Sequence, residues 1–509
     1  MNKHSSEQSR KNSRKHKRKI EKRHNKAGKW QAQDKPMFHS GTVHYEIGST
    51  NQGMSYGGIS AIHRMVVKLG LRDEIDKRLH LLKIHLPYHE SDHVLNMAYN
   101  IMCGGTRLED IERLRHDVAY MNALNTDLIP DPTTAGDFTR RFDETDILIL
   151  MDAINAVRAK LWAGRGRDLL GEMTYVDVDG TIAPTYGECK EGMDISYKGI
   201  WGYAPLIVSL ANTKEVLYIV NRSGNAPSHK GAAEWIDRAI DLVRPYSERI
   251  CLRGDTDFSL TANFDKWAAR VDFIFGMDAH KTLCGLAENL PENDWRRLER
   301  EPRYETVTDQ TRDRKQENHK ERIVRERGYE NIKLRYEDVA EFEYRPGKCK
   351  QPYRMVVVRK NISRMKGDDV LFDEIRYFFY VTTRRDLTVE EIVRQANKRC
   401  DQENVIEQLK NGVNALRMPM YDMLSNWAYM IMATLAWNLK SWFSMMTHLK
   451  SDRGKYAHME FRRFMNEIIL IPCQVIRRAR SIIIRLTGYR PSVDLFFSTF
   501  QIIERIRFT

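Results

Sequence analysis

Six acidic residues fall in three pairs, and each pair stands at an element end or on a helix in the expected secondary structure. Asp177 and Asp179 lie on or just after a strand in TYVDVDGT. Asp255 and Asp257 follow a strand in RICLRGDTDF, and Glu403 and Glu407 lie on a later helix. Carboxylates drawn from separate elements suit in-line displacement at a phosphodiester. Two divalent ions ~3.5–4 Å apart then activate the attacking oxygen and stabilise the leaving one. Hard Mg²⁺ prefers oxygen donors, so Asp and Glu fit it better than His or Cys. An Asp at a strand end is equally an ordinary turn or cap residue, so no single position decides the matter.

The helix adds a pattern. Arg399, Glu403 and Lys410 are four and seven residues apart. On a continuous helix they fall within roughly 40° of one another. A cation, a carboxylate and a cation on one stripe can hold a metal and grip phosphates beside it. The same stripe also reads as a salt-bridged solvent face, because Arg399 and Glu403 form an i,i+4 pair.

The elements that must position these groups begin at Thr174. TYVDVDG, GYAPLIVSLAN and EVLYIVNRSGN read as three strands, and GAAEWIDRAIDLVRP as an amphipathic helix stopped by Pro245. RICLRGDTDF and VDFIFGMDA add two strands, which together make a mixed α/β sheet. That order fits a ribonuclease H-like fold. Residues 281–374 interrupt it with a highly charged stretch and the strand-like KLRYEDVAEFEYR and YRMVVVRK, an inserted β-rich subdomain. IRYFFYVTT and the helix from Val389, with Thr388 and Glu391 at capping-box spacing, resume the core.

Helical regions flank this core. From Ile59 to about Trp162 the apolar residues recur near a 3.6 period, as in Ile62, Met65, Val66 and Leu69. PDPTTAGDFTRRF predicts a short helix capped by Thr133 or Thr134 and bearing Arg140 and Arg141. It is either a recognition helix or an exposed basic helix end. Residues 416–509 read as helical, including VIRRARSIIIRL. The expected organisation is a basic tail 1–35, a helical DNA-binding region 36–168, core 169–280, insertion 281–374, core 375–415 with the Glu-bearing helix, and a helical region 416–509.

The formal charge of +13 is concentrated at one end. Residues 1–30 hold twelve Lys or Arg and two Glu, so the tail attracts polyanions, nucleic acid foremost. A solubilising tail would have the same composition. The seven cysteines are scattered without a CxxC pair, which points to reduced thiols and away from zinc. No secretory leader is legible, and the apolar run WAYMIMATLAW is too short to span a bilayer, so no membrane partner is expected. Trp427, Trp437 and Trp442 sit at helical spacing and read as core. No GxxxxGK[ST] loop calls for ATP.

Taken together, these motifs resemble the DDE transposases of bacterial insertion sequences, specifically the insertion-sequence 1380 family. That family has a Tyr-x2-Arg-x3-Glu-x6-Lys signature, matched in ANKRCDQENVIEQLKNG by Arg399, Glu403 and Lys410, with Ala396 in the Tyr position. VDVDGT resembles the first catalytic segment and selects Asp179. LRGDTDF resembles the second and selects Asp255, with Asp257 where a Gly is usual. GTRLEDIERLR, GYAPL and SGNAPS resemble further family segments. The resemblance implies Asp179, Asp255 and Glu403 as catalytic metal ligands for Mg²⁺, with Mn²⁺ able to substitute. Arg399 and Lys410 would contact DNA, while Asp177 and Asp257 are the closest rivals for metal ligation, with support or charge balance near the ions as their expected role. It implies double-stranded DNA partners (terminal inverted repeats and target), cut-and-paste transposition through hairpin ends, a homodimeric synaptic complex, and a bacterial cytoplasmic, nucleoid-associated setting. The rival expectations are a non-catalytic DNA-binding descendant and a metal-dependent nuclease that never joins.

Overall fold

A nine-stranded mixed sheet runs through the computed structural model. The structure describes residues 52–506 apart from 86, 164, 188, 301–329, 367–368, 448–449, 479–480 and 489–491. The basic tail, His16 and His24 within it, and most of the charged stretch before residue 330 lie outside the described residues.

The helices that precede the sheet include α1 (Ile59–Leu69), α2 (Leu71–Arg78), α3 (Glu90–Met102), α4 (Pro132–Thr139) and α5 (Glu144–Ala163). The apolar period of α1 is its buried face, with Ile59, Ile62, Met65, Val66 and Leu69 all in the core. α4 forms where PDPTTAGDFTRRF predicts a helix, but its cap is Asp131. That carboxylate accepts the N–H groups of Thr133 and Thr134, and Pro132 fills the first turn. Arg140 lies at the helix end, paired with Asp137.

The strands are β1 (Thr174–Gly180), β2 (Leu206–Leu210), β3 (Glu215–Val220), β4 (Ile250–Gly254), β5 (Asp272–Met277), β6 (Arg296–Arg297), β7 (Glu330–Tyr344), β8 (Tyr353–Lys366) and β9 (Asp369–Thr382). Their order across the sheet is β6-β7-β8-β9-β5-β4-β1-β2-β3. β1, β2 and β3 form an antiparallel meander, while β4 is parallel to β1 and β5 is parallel to β4. α6 (Ala232–Val243) crosses from β3 to β4 and buries Trp235, Ile236, Ala239, Ile240 and Val243, as its amphipathic pattern requires. The three long strands β7 to β9 join the sheet through β9, which pairs antiparallel with β5, Phe379 opposite Met277. Residues 330–382 therefore lengthen the same sheet.

α7 (Val389–Asn397) starts at the capping box read from Thr388 and Glu391 and lays Ile392 and Val393 against Cys251, Ile274, Val356 and Val358. α8 (Cys400–Glu407) follows. α9 (Met423–Met445) is buried along almost its whole length because it covers the β3 edge. Trp427 and Trp437 donate their indole N–H groups to the carbonyls of Ile219 and Lys214, both at 2.6 Å, and Asn438 bonds both backbone groups of Val216. A sheet edge left bare would expose unpaired backbone groups, and this helix satisfies them. None of the described helices is long and apolar enough to cross a membrane.

The C-terminal region departs from the helical expectation. Cys473–Arg478 and Ser481–Leu486 form an antiparallel hairpin joined by Gly53–Met54 as a third strand; α10 (Val493–Arg505) follows. The β-branched residues Val475, Ile476, Ile482, Ile483 and Ile484 favour a pleated surface. The pairing partner comes from more than 400 residues away, beyond the reach of local periodicity.

Candidate active site

Asp179 and Asp255 leave the sheet from neighbouring parallel strands. Asp177 on β1 stands opposite Arg253 on β4, and each aspartate lies two residues further along its own chain. Asp179 is still on β1, paired with Ile207 of β2. Asp255 caps a short 3₁₀ turn, its Oδ1 accepting the Asp257 N–H at 3.1 Å. Both carboxylates are partly buried. Burial pushes Asp179 up to about 6; Arg399 opposes this and the charge of Asp255 adds to it. Burial also raises Asp255, where Arg399 again opposes and the charges of Asp257 and Asp278 reinforce the shift. Two desolvated carboxylates that repel each other form a site short of positive charge. The donors are oxygens only, so the pair fits a hard divalent cation.

Asp177 has a different job. Arg253 holds both of its oxygens, at 2.7 and 2.8 Å, and both side chains are buried. Arg253 also donates to the Gln395 carbonyl at 3.1 Å and lies over the Tyr175 ring. The pair fastens β1 to β4 and to α7 and engages both Asp177 oxygens. Removing one partner of a buried pair strands the other charge. Asp177→Ala is therefore expected to cost about 3–5 kcal/mol of stability, read as a lower midpoint in urea. An unchanged midpoint would refute the structural role.

The cationic stripe runs along α8 and its π-helical continuation. α7 ends at Asn397, Arg399 is the N-cap of α8, and Lys410 sits in a π-helical turn, Gln408–Gly412. Lys398, Arg399 and Gln408 all keep right-handed helical dihedrals, so Arg399, Glu403 and Lys410 follow one another along α8 and its continuation, and the π turn after Glu407 departs from the 100°-per-residue spacing before Lys410. Single π turns of this kind recur at functional sites. Arg399 Nη1 pairs with Asp179 Oδ2 at 2.9 Å, although an Arg399–Glu403 pair was the alternative reading. Lys410 lines the cavity beside Asp179, with its affinity for a proton lowered by burial. Ala396, in the expected Tyr position, packs against the α7 side of the sheet.

Glu403 is exposed on α8. Its neighbour Gln402 is buried and bonds Ser209 and the Ile207 carbonyl, which docks α8 on β2. Among the described residues, Asp179, Asp255 and Glu403 do not form a trio with ligand atoms within 4.8 Å of one another, whereas His85, His89 and Glu90 do. The structure thus pairs Arg399 with Asp179 and couples it electrostatically to Asp255, without bringing Glu403 into so tight a trio with the two aspartates.

Two contributors escaped the sequence reading. Asp278 follows β5, the third parallel strand, and acts electrostatically on Asp255; the strand-end rule that selected Asp255 applies equally to VDFIFGMDA. Arg222 is buried after β3 and donates to the carbonyls of Ala204, Ser228 and Lys230, each at 2.8 Å. No local pattern marks one arginine among many for burial. Together with Lys198, Lys410, Arg417 and Asp257 it lines a cavity of about 1030 Å³ that begins at Gly180 and Thr181.

A mixed sheet with acidic groups at adjacent parallel strand ends, flanked by cations, is a scaffold for polyanion chemistry. Residues 48–508 match the family model described as "Transposase DDE domain group 1", and the chain belongs to this family. It is thus a DDE-type transposase domain over most of its length. No curated protein matches the chain. Among solved structures, a cryo-EM structure of a piggyBac transposase synaptic complex with hairpin DNA is similar, at 10% identity and a TM-score of 0.34. That match covers 82% of this chain and 84% of the other.

Proposed function

We propose that this transposase binds the terminal inverted repeats of its own element, cleaves the ends and joins their 3′ hydroxyls to target DNA. The observation that carries the reading is the coupled pair Asp179 and Asp255 at neighbouring strand ends, with Arg399 against it, in a chain of a DDE transposase family. The strand order β3-β2-β1-β4-β5 supports a ribonuclease H-like core built from residues 169–280 and 375–415. Residues 281–374 are an insertion that widens the core's sheet, 36–168 and 416–509 are its flanks, and 1–35 is a basic tail.

In this reading Asp179, Asp255 and Glu403 hold Mg²⁺ or Mn²⁺. When bound, such ions supply Lewis acidity that activates the attacking oxygen and stabilises the leaving one. The side chains do the rest. Asp179 and Asp255 present ionised oxygens from a fixed sheet, and Asp177 with Arg253 keeps the two strand ends in register. Arg399 neutralises Asp179 in the DNA-free protein and turns to a backbone phosphate when DNA arrives. Lys410 meets a second phosphate from the cavity wall. Glu403 completes the carboxylate set from α8, which Gln402 docks on β2. Hairpin ends, a homodimeric synaptic complex and placement in the insertion-sequence 1380 family extend the reading, by the Arg399, Glu403 and Lys410 spacing.

The test is cleavage of a supercoiled plasmid carrying the element's own ends, with Mg²⁺ or with EDTA. Wild type is expected to nick and linearise at the ends only with the metal. Glu403→Gln should fall by at least ~10²-fold, since a lost ligand removes several kcal/mol of transition-state stabilisation. Wild-type protein that binds the ends yet cuts with neither Mg²⁺ nor Mn²⁺ would make it a non-catalytic descendant. Cutting without joining would make it a nuclease.

A further inference from the structure

The connection from β1 to β2 begins two residues after Asp179 and is long for a meander turn. It folds into a small antiparallel sheet of Ala183–Pro184, Trp201–Tyr203 and Asp194–Ile195. The last two strands make a hairpin whose turn closes with the Gly199 N–H on the Ser196 carbonyl at 2.8 Å, with Gly199 at φ +73°, where a side chain would be strained. Its base is fixed, Tyr203 being buried with its hydroxyl on the Glu191 carbonyl at 2.7 Å.

The free part of this connection is apolar and exposed. Tyr186 is 97% exposed, Tyr197 at the turn 84%, and Trp201, paired across the hairpin with Ile195, 52%. Exposed apolar residues scattered singly are ordinary, but a cluster on one element marks a contact surface. The turn also borders the cavity: Tyr197, Lys198 and Ile200 are on its wall.

The charge on that wall is one-sided. Lys198, Arg222, Lys410 and Arg417 line the cavity, against Asp257 as its single carboxylate. Among the described residues none of these four cations has an ion-pair partner, whereas most described arginines do. Lys198 instead faces the Tyr197 ring, and Arg417 donates to the Thr106 carbonyl. Arg222 is the sharpest case. The residue is 9% exposed, its guanidinium is bonded only to carbonyls, and Nη2 is buried without a partner. A buried positive charge without a counter-charge calls for an anion.

We propose that the hairpin Asp194–Tyr203 and the cationic cavity beside it bind an unpaired stretch of one DNA strand next to the phosphate that is cut. The proposal rests on the transposase reading for that phosphate. Cations without partners draw the backbone into the cavity. Tyr197 and Trp201 offer ring faces to bases, which a paired duplex keeps stacked inside and an unpaired strand exposes; this combination is how sequence-tolerant single-strand sites are built. The hairpin lies within the β1–β2 connection and shares its cavity with Gly180 and Thr181, so a strand held there lies beside the end of β1 that carries Asp179. The hairpin would thus select DNA that is already opened, or hold it open, at the point of cleavage.

The experiment uses the full chain and a fluorescent oligothymidylate of about twelve nucleotides, within the ~4–16 nucleotides of known single-strand sites, in EDTA so that no cutting occurs. Wild type is expected to bind it, and to bind end DNA carrying a short unpaired tail about 10-fold more tightly than the blunt duplex, as base stacking on an aromatic allows. Tyr197→Ala combined with Trp201→Ala should remove that preference and leave blunt-duplex binding unchanged. Lys198→Glu, a surface change that does not depend on refolding the Arg222 loop, should weaken oligothymidylate binding and lower its salt dependence. Wild type that ignores oligothymidylate, or aromatic variants that keep the tail preference, would overturn the inference. Plasmid cleavage at the ends could still succeed in that case, which separates this failure from failure of the transposase reading.

Discussion

Asp179→Asn is expected to leave end binding intact and to slow cleavage by at least ~10³-fold, given the several kcal/mol a metal site contributes to a phosphoryl transition state. The substitution keeps the shape of the side chain and its contact with Arg399 but removes the negative charge. Binding should survive because the cations of the cavity are untouched. Asp255→Asn should behave alike, being the other half of the coupled pair. Asp257→Asn is the informative control. Its backbone N–H, not its carboxylate, holds Asp255, and its side chain is exposed. A loss of no more than about 10-fold is expected there, the lower end of what supporting groups around a metal site contribute. Single-turnover cleavage of a labelled end duplex, beside a gel-shift titration with the same DNA, measures both quantities. If Asp179→Asn still cuts while Asp257→Asn does not, the carboxylate assignment has to be inverted.

How far the site was legible from sequence follows from which interactions are local. Asp179 and Asp255 could be placed at strand ends because β-type runs stop visibly at GT and at GDTDF, and the resemblance chose between neighbours. That Asp177 is spoken for by Arg253 required the parallel pairing of two strands about 75 residues apart, which no spacing encodes. The Arg399, Glu403 and Lys410 stripe was computed for an ideal helix. The π turn after Glu407 is a local deviation that ideal spacing does not contain, and the Arg399–Asp179 pair joins residues 220 apart in sequence. The capping box at Thr388 was readable because both of its bonds lie within four residues. The hairpin at 473–486 was misread for the opposite reason, since a strand 420 residues earlier completes its sheet. The three tryptophans of α9 were assigned to the core by their spacing, but their hydrogen bonds to the β3 edge belong to the tertiary fold.

One residue of that edge is expected to show a large stability effect. Glu215, the first residue of β3, is fully buried and accepts four hydrogen bonds: from Arg158 Nε at 2.8 Å, Trp442 Nε1 at 2.7 Å, Trp162 Nε1 at 3.2 Å and Thr213 Oγ1 at 2.6 Å. These donors come from α5, α9 and the turn before β3, so one carboxylate joins the N-terminal helices, the long C-terminal helix and the sheet. Arg158 is itself fully buried and continues the network to the Val216 carbonyl at 2.7 Å. Glu215→Ala would leave a guanidinium without its counter-charge and two indole N–H groups unpaired in the core, for about 3–5 kcal/mol of lost stability, with a fall in soluble yield. Glu215→Gln keeps the volume and one acceptor oxygen but turns an amide N–H₂ toward donors, so it should fall in between. Replacing both charges together, Glu215→Leu with Arg158→Met, should recover much of the loss, because a buried ion pair is costly to break and far less costly to remove whole. Thermal unfolding of the four proteins checks the order. An alanine variant as stable as wild type would mean that water reaches Arg158 and that the edge is not sealed. Cleavage by the variants should track their folded fraction, since Glu215 lies two strands from Asp179 and touches neither carboxylate of the pair.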